Sequence, residues 1–134
     1  MPVHGTVYSV NEANYRKWTR GAQKFLDALR SPDPAWGRSY SARYSGCLVA
    51  DIHRLLTSGG VYLYPAEVNK PEGKLRLMYE GSPLGFLVEQ AGGAASTGVQ
   101  RMLEVQPTHI HDRVSVFIGS REEIQLAEQC LTVI

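Results

Sequence analysis

The chain's densest group of chemically useful side chains lies between residues 43 and 80: Arg43, Tyr44, Tyr62, Tyr64, Lys74, Arg76, Tyr79 and Glu80. A phosphate monoester carries close to two negative charges at neutral pH and three strong acceptor oxygens. It is held by cations and by neutral O–H or N–H donors. Arginine offers a planar fork, lysine a point charge, and tyrosine a rigid hydroxyl. The same residue types also suit semi-buried strand tyrosines beside a solvated cationic surface, and composition leaves both readings open. Glu80 adds a constraint, because a carboxylate beside a phosphate repels it unless a cation lies between. Lys74 and Glu80 would lie ~20 Å apart along a strand or ~9 Å apart along a helix. Either spacing keeps them off the same phosphate oxygens and suits opposite ends of an elongated ligand. Alternatively, Glu80 only favours the dipole of a helix starting at Ser82-Pro83.

Other constellations are weaker. His109 and His111 share a face if their segment is extended, as some metal sites require, but no third ligand follows at useful spacing. Gly92, Gly93 and Gly98 follow a predicted helix rather than a strand, the wrong order for a dinucleotide loop, and read as a cap and a turn. No G-x-S-x-G nucleophile motif occurs. Cys47 and Cys130 lack zinc or redox spacing and read as two buried thiols in a reducing compartment.

The elements that position these residues follow from periodicity. Residues 3–10 read as a strand. Residues 14–29 repeat Trp18, Ala22, Phe25, Leu26 and Leu29 at helical spacing, and Ser31-Pro32-Asp33-Pro34 ends that helix. A second helix over 46–57 presents Leu48, Ile52, Leu55 and Leu56, and Gly59-Gly60 closes it. Residues 61–64 form a strand stopped by Pro65, and 66–73 a loop. A helix starting at Ser82-Pro83 turns Leu84, Leu87 and Val88 inward. Residues 114–118 read as a buried strand, and Ser120-Arg121-Glu122-Glu123 as a capping box opening the last helix. Interleaved strands and helices predict an α/β fold.

The length, 134 residues, suits one domain with a real core. Apolar residues make up 43% and charged residues 20%, which argues against disorder. Fourteen basic and thirteen acidic residues give a net charge of +1, so neither nucleic acid nor an anionic membrane is indicated as a partner. The N-terminal residues lack a signal-peptide pattern, and no stretch approaches the roughly 20 apolar residues of a membrane span, which makes a cytoplasmic protein the expectation.

Several segments taken together resemble class I fructose-1,6-bisphosphatases. They are Y-S-V-N-E at 8–12, A-R-Y-S-G-C-L-V-A-D-I-H-R at 42–54, G-G-V-Y-L-Y-P at 59–65, G-K-L-R-L-M-Y-E at 73–80, E-Q-A-G-G at 89–93 and P-T-H-I-H at 107–111. Sedoheptulose-1,7-bisphosphatases share much of this pattern. The resemblance implies a layered α/β sandwich, a mixed β-sheet flanked by helices. It implies that residues 1–134 are the C-terminal, sugar-phosphate-binding domain and that the N-terminal metal- and AMP-binding half is absent. The whole enzyme would hydrolyse fructose 1,6-bisphosphate to fructose 6-phosphate with Mg2+. By the resemblance, Asn11, Tyr44, Tyr64 and Lys74 bind the 6-phosphate. Arg43 reaches the neighbouring subunit's site in a homo-oligomer, normally a tetramer, and Glu80 is a magnesium ligand. A tyrosine frequent in the family is replaced by Asn14. The Asp-Pro-x-Asp-Gly motif that supplies most metal ligands is missing, since the only Asp-Pro here, Asp33-Pro34, continues as Ala35-Trp36. The chain alone is therefore expected to be inactive, whether as part of an enzyme or as a non-catalytic sugar-phosphate-binding module.

Overall fold

A computed structural model of the chain describes residues 1–31 and 39–132. Its centre is a five-stranded mixed sheet in the order β2 (Ser41–Ala42), β1 (Val7–Ser9), β3 (Val61–Tyr64), β7 (Val116–Gly119), β5 (Ala94–Ser96). Strand β1 (Val7–Ser9) runs parallel to β2 (Ser41–Ala42) and to β3 (Val61–Tyr64). Strand β7 (Val116–Gly119) lies antiparallel between β3 and β5 (Ala94–Ser96). A separate antiparallel pair joins β4 (Leu75–Arg76) to β6 (Arg113–Val114).

The period-two alternation of strands sends successive residues to opposite faces, and this divides the core in two. Val61, Leu63 and Phe117 meet α1 (Arg20–Arg30) and α4 (Arg121–Thr132) through Phe25, Leu26, Leu29, Ile124 and Ala127. Tyr62, Val116 and Ile118 meet α2 (Leu48–Ser58) and α3 (Ser82–Gln90) through Ile52, Leu55 and Val88. Phe25 and Phe117 pack edge to face at 5.9 Å between centroids, a geometry that aligns the positive edge of one ring with the negative face of the other. The architecture is the expected helix–sheet–helix sandwich.

Where β3 begins, two glycines let the chain turn from helix to strand. Gly59 closes α2 with φ of 78°, and Gly60 has φ of 125°. A Cβ on Gly60 would sit 2.1 Å from the Val7 carbonyl oxygen, so β1 and β3 could not approach as they do. Pro83 occupies the first turn of α3, where its missing N–H costs nothing. The helix α4 starts where expected, and Ser120 and Glu123 also stitch distant segments. Ser120 Oγ accepts from Gly60 N at 3.0 Å, and Glu123 Oε1 accepts from Gly5 N at 2.7 Å.

Several expectations need correction. The first strand is short, covering Val7–Ser9. The single helix expected over 14–29 is two pieces, a 3-10 helix at Glu12–Lys17 and α1. Trp18 and Thr19 between them are extended, and Trp18 bridges to Glu67. The predicted apolar positions Trp18, Ala22, Phe25, Leu26 and Leu29 are nonetheless all buried. The helix ends at Arg30, while Pro32 and Pro34 lie outside the described residues. Leu87, expected inward, is exposed, because α3 faces the sheet through Gly85 and Val88. The strand expected over 114–118 divides between two sheets at Ser115, whose Oγ accepts from Ala66 N at 3.1 Å. Both cysteines are free. Cys130 is half-buried, whereas Cys47 is exposed just before α2 rather than buried. His109 and His111 lie in a bend and turn, not an extended strand.

Candidate functional site

Residues 74–80 adopt neither of the two geometries considered for them. After β4 the chain makes a π turn over Leu77–Gly81, and the Ser82 N–H reaches back to the Leu77 carbonyl. Such one-turn π bulges are rare and recur at functional sites. The turn folds the Glu80 side chain back, and its Oε1 accepts from Arg76 N at 2.9 Å. Glu80 thus has an anchored carboxylate, half-buried rather than trailing into solvent. The Arg76 guanidinium lies 4.9 Å from the Tyr79 ring centroid, and its Nη1 is 3.1 Å from His111 Nδ1. His111 in turn packs edge-on to Tyr79 at 5.5 Å.

On the same face of the sheet, Tyr62 is the meeting point. Its phenol is pushed well above the ordinary tyrosine range, first by burial, then by electrostatic coupling to Tyr44, Asp51, Tyr64 and Glu80. Tyr44 is raised for the same reasons, burial first, then Tyr64 and Asp51. Tyr44 and Tyr62 are therefore neutral hydroxyls at physiological pH, able to donate to an anion rather than repel it. Tyr64 lies at the end of β3, where Pro65 releases the chain from the ladder. Tyr44 lies between β2 and α2 and is 41% exposed, so its ring is open to a ligand.

Asp51 was not singled out from the sequence, yet it organises this region. It is 2% exposed, and both carboxylate oxygens accept from Ser45 N at 3.2 Å. That contact holds the segment carrying Tyr44 against the first turn of α2. Its signal in the sequence was an acid in the first turn of a helix, beside the inward-facing Ile52, where a solvated residue is the ordinary expectation.

Asn11 caps the 3-10 helix, with Oδ1 accepting from Ala13 N at 3.2 Å. It lines a shallow recess with Asn14, Trp18 and Tyr64. Tyr15, adjacent to the position of the replaced tyrosine, is committed elsewhere: its hydroxyl donates to Asp27 at 2.8 and 2.9 Å, and Arg30 lies over its ring. Arg43 is exposed, its backbone N–H donating to the Tyr8 carbonyl at 2.9 Å. Lys74 is half-buried and lines a different recess, with Lys70, Glu72 and Arg113. Arg113 Nη1 donates to the Lys74 carbonyl at 2.5 Å, fixing that residue's backbone. The structure thus gathers Tyr44, Tyr62, Tyr64, Asp51 and Glu80, sets Asn11 beside Tyr64, and groups Lys74 with Lys70 and Arg113 in a recess of their own.

Among the described residues, no group of three or more His, Cys, Asp or Glu side chains could hold a metal ion. Glu80 by itself offers one carboxylate, too few oxygens for a hard divalent cation. The residues present therefore do not build a metal centre on their own.

Comparison with known proteins identifies the fold that carries these residues. The family model described as fructose-1-6-bisphosphatase, C-terminal domain, matches residues 1–132. A class 1 fructose-1,6-bisphosphatase of Chlorobium phaeobacteroides is 48% identical over 128 residues, covering 96% of this chain and 39% of that protein. A chloroplastic fructose-1,6-bisphosphatase of Pisum sativum is 50% identical over 131 residues, covering 98% of this chain and 32% of that protein. The crystal structure of Leishmania major fructose-1,6-bisphosphatase in holo form superposes with a TM-score of 0.92 at 43% identity, over 98% of this chain and 40% of that one. The chain spans about two fifths or less of the length of these relatives. An unbroken match at this level of identity, with the same sandwich throughout, leaves one assignment: the chain belongs to the fructose-1,6-bisphosphatase family, within the part that forms its C-terminal domain.

Proposed function

We propose that this chain is the sugar-phosphate-binding half of an enzyme that hydrolyses fructose 1,6-bisphosphate to fructose 6-phosphate and phosphate. The observation that carries the reading is the grouping of neutral tyrosine hydroxyls with the anchored carboxylate of Glu80 around Tyr62, in a family of phosphatases. Tyr44, Tyr64 and Asn11 donate to the 6-phosphate, and the Lys74 ammonium neutralises it. Donors fixed by the end of β3 and by Asp51 hold the sugar in one orientation, which is the contribution this half makes to rate. Arg43, exposed beside Tyr44, serves the same site in a second copy of the protein, in a homo-oligomer that the family reading makes a tetramer. Cytoplasmic placement belongs to the same reading.

Glu80 would supply one oxygen to a magnesium ion at the 1-phosphate end, with the other ligands coming from outside residues 1–134, and the ion would supply charge neutralisation at the departing phosphoryl group. Within this chain Glu80 is held ready by the Arg76 N–H.

Phosphate release from fructose 1,6-bisphosphate in magnesium tests the proposal. The protein carrying both halves should turn over substrate and lose at least a hundredfold with Glu80→Gln, while residues 1–134 alone release none above background. Robust turnover by the isolated chain, or full activity of the Glu80→Gln protein, would contradict it. Sedoheptulose 1,7-bisphosphate in the same assay decides between the two related substrates.

A further inference from the structure

The cations near Lys74 are more numerous than one sugar phosphate needs, and they are arranged around a space of their own. Arg16 and Lys17, at the end of the 3-10 helix, face Lys70 and Lys74 across an open recess with a volume of 540 Å³, which Glu67 and Asn69 also line. Four cations against one carboxylate leave a surplus of three positive charges there. Among the described residues none of the four forms an ion pair.

The walls of this recess are fixed by the backbone. Val68 N donates to the Lys17 carbonyl at 2.8 Å, which ties the loop to the helix end. Glu67 and Lys70 exchange hydrogen bonds, with Lys70 N on the Glu67 carbonyl at 2.9 Å and Glu67 N on the Lys70 carbonyl at 3.3 Å. Trp18, which is buried, and Glu67 form a bridge that joins the two walls. Like charges held on a rigid frame repel each other, and that repulsion is relieved when an anion enters between them. Glu67, itself buried, offsets one of the four charges.

We propose that this recess is a second anion site, separate from the tyrosine cluster, for a small molecule bearing two or more phosphate charges. Its volume falls in the range of small-molecule pockets and is larger than a single oxyanion fills. Arginine and lysine with an asparagine amide form the donor set for phosphoryl oxygens, and Val68 is the apolar part of the wall. The inference rests on the sugar-phosphate reading only in that both include Lys74. The test therefore leaves Lys74 untouched.

The probe is inorganic pyrophosphate, titrated into residues 1–134 in magnesium-free buffer, with sodium chloride at matched ionic strength as control. Backbone amide resonances of Arg16, Lys17 and residues 67–70 should shift saturably with pyrophosphate and not with chloride. The double substitution Arg16→Ala with Lys70→Ala should weaken pyrophosphate binding at least tenfold and leave fructose 6-phosphate binding unchanged. Saturable shifts confined to Tyr44, Tyr64 and their neighbours would overturn the proposal, as would absence of saturation, or equal affinity in the folded double variant. The wild-type shift map decides the matter even if that variant does not fold. Failure of fructose 6-phosphate to bind the wild-type chain would count against the sugar-phosphate reading and leave this one standing.

Discussion

Replacing Asp51 with asparagine removes a charge from the centre of the tyrosine cluster while keeping the side chain's size. The carboxylate is 2% exposed and both oxygens take the same Ser45 N–H at 3.2 Å. A hydrogen bond to a charged group contributes ~1.5–3 kcal/mol. The donor is shared and the contacts are long, so the lower end applies, ~1.5 kcal/mol. Part of that loss falls on the segment carrying Tyr44, so fructose 6-phosphate affinity should drop by up to about tenfold. Urea unfolding measures the stability change and calorimetry the affinity. A third readout separates electrostatics from mere loosening. The Asp51 charge adds to burial in raising Tyr44 and Tyr62, so Asp51→Asn should lower both toward 10.0, seen in the ultraviolet titration of tyrosine. An unchanged unfolding midpoint together with an unchanged tyrosine titration would refute the reasoning.

Other consequences follow from the core and the turns. Phe25→Ala empties a fully buried position against Phe117 and should cost ~3–5 kcal/mol in denaturant unfolding. Gly60→Ala forces a Cβ to 2.1 Å from the Val7 carbonyl at a φ of 125°, and should cost ~3 kcal/mol or more. A stability change within ~0.5 kcal/mol for Gly60→Ala would contradict the close approach of β1 and β3. For pH, Tyr62 has a folded-state value above its ordinary 10.0, so its contribution is complete below pH 10 and is lost as pH rises beyond it. Alkaline unfolding monitored by circular dichroism should therefore move upward in pH in Tyr62→Phe.

Much of the fold was legible because local chemistry and tertiary packing agree. Val61–Tyr64 is a short apolar and aromatic run stopped by proline, and it is the central strand β3. The glycine pair after α2 was readable because a left-handed closure at Gly59 favours that residue. Elsewhere tertiary contacts overrode the pattern. Trp18 continues a helical spacing into Ala22 and Phe25, yet its backbone is extended and bridged to Glu67. Periodicity reports which side chains are buried, and it does not show that the backbone breaks between them. Val114, Val116 and Ile118 are all buried as one strand would be, but Ser115 marks a crossing between two sheets. At the site, residue types left Tyr44, Tyr64, Lys74 and Glu80 as open candidates, and only the family resemblance gave them roles. The π turn that anchors Glu80 was invisible, since it depends on an i to i+5 bond that no residue pattern announces. Asp51 and the cationic wall of Arg16, Lys17 and Lys70 were missed for a related reason. Each is assembled from separate segments, and charge counted along the chain averages to nearly zero.

Calorimetric titration of fructose 6-phosphate into residues 1–134, comparing wild type with Lys74→Ala, tests the sugar-phosphate-binding reading most directly. Loss of a charge-assisted contact to phosphate corresponds to ~1.5–3 kcal/mol, or about a ten- to hundredfold loss of affinity. The account predicts saturable binding by the wild-type chain that weakens by that factor in the variant while the fold is kept. No binding up to millimolar ligand, or equal affinity in the two proteins, would contradict it.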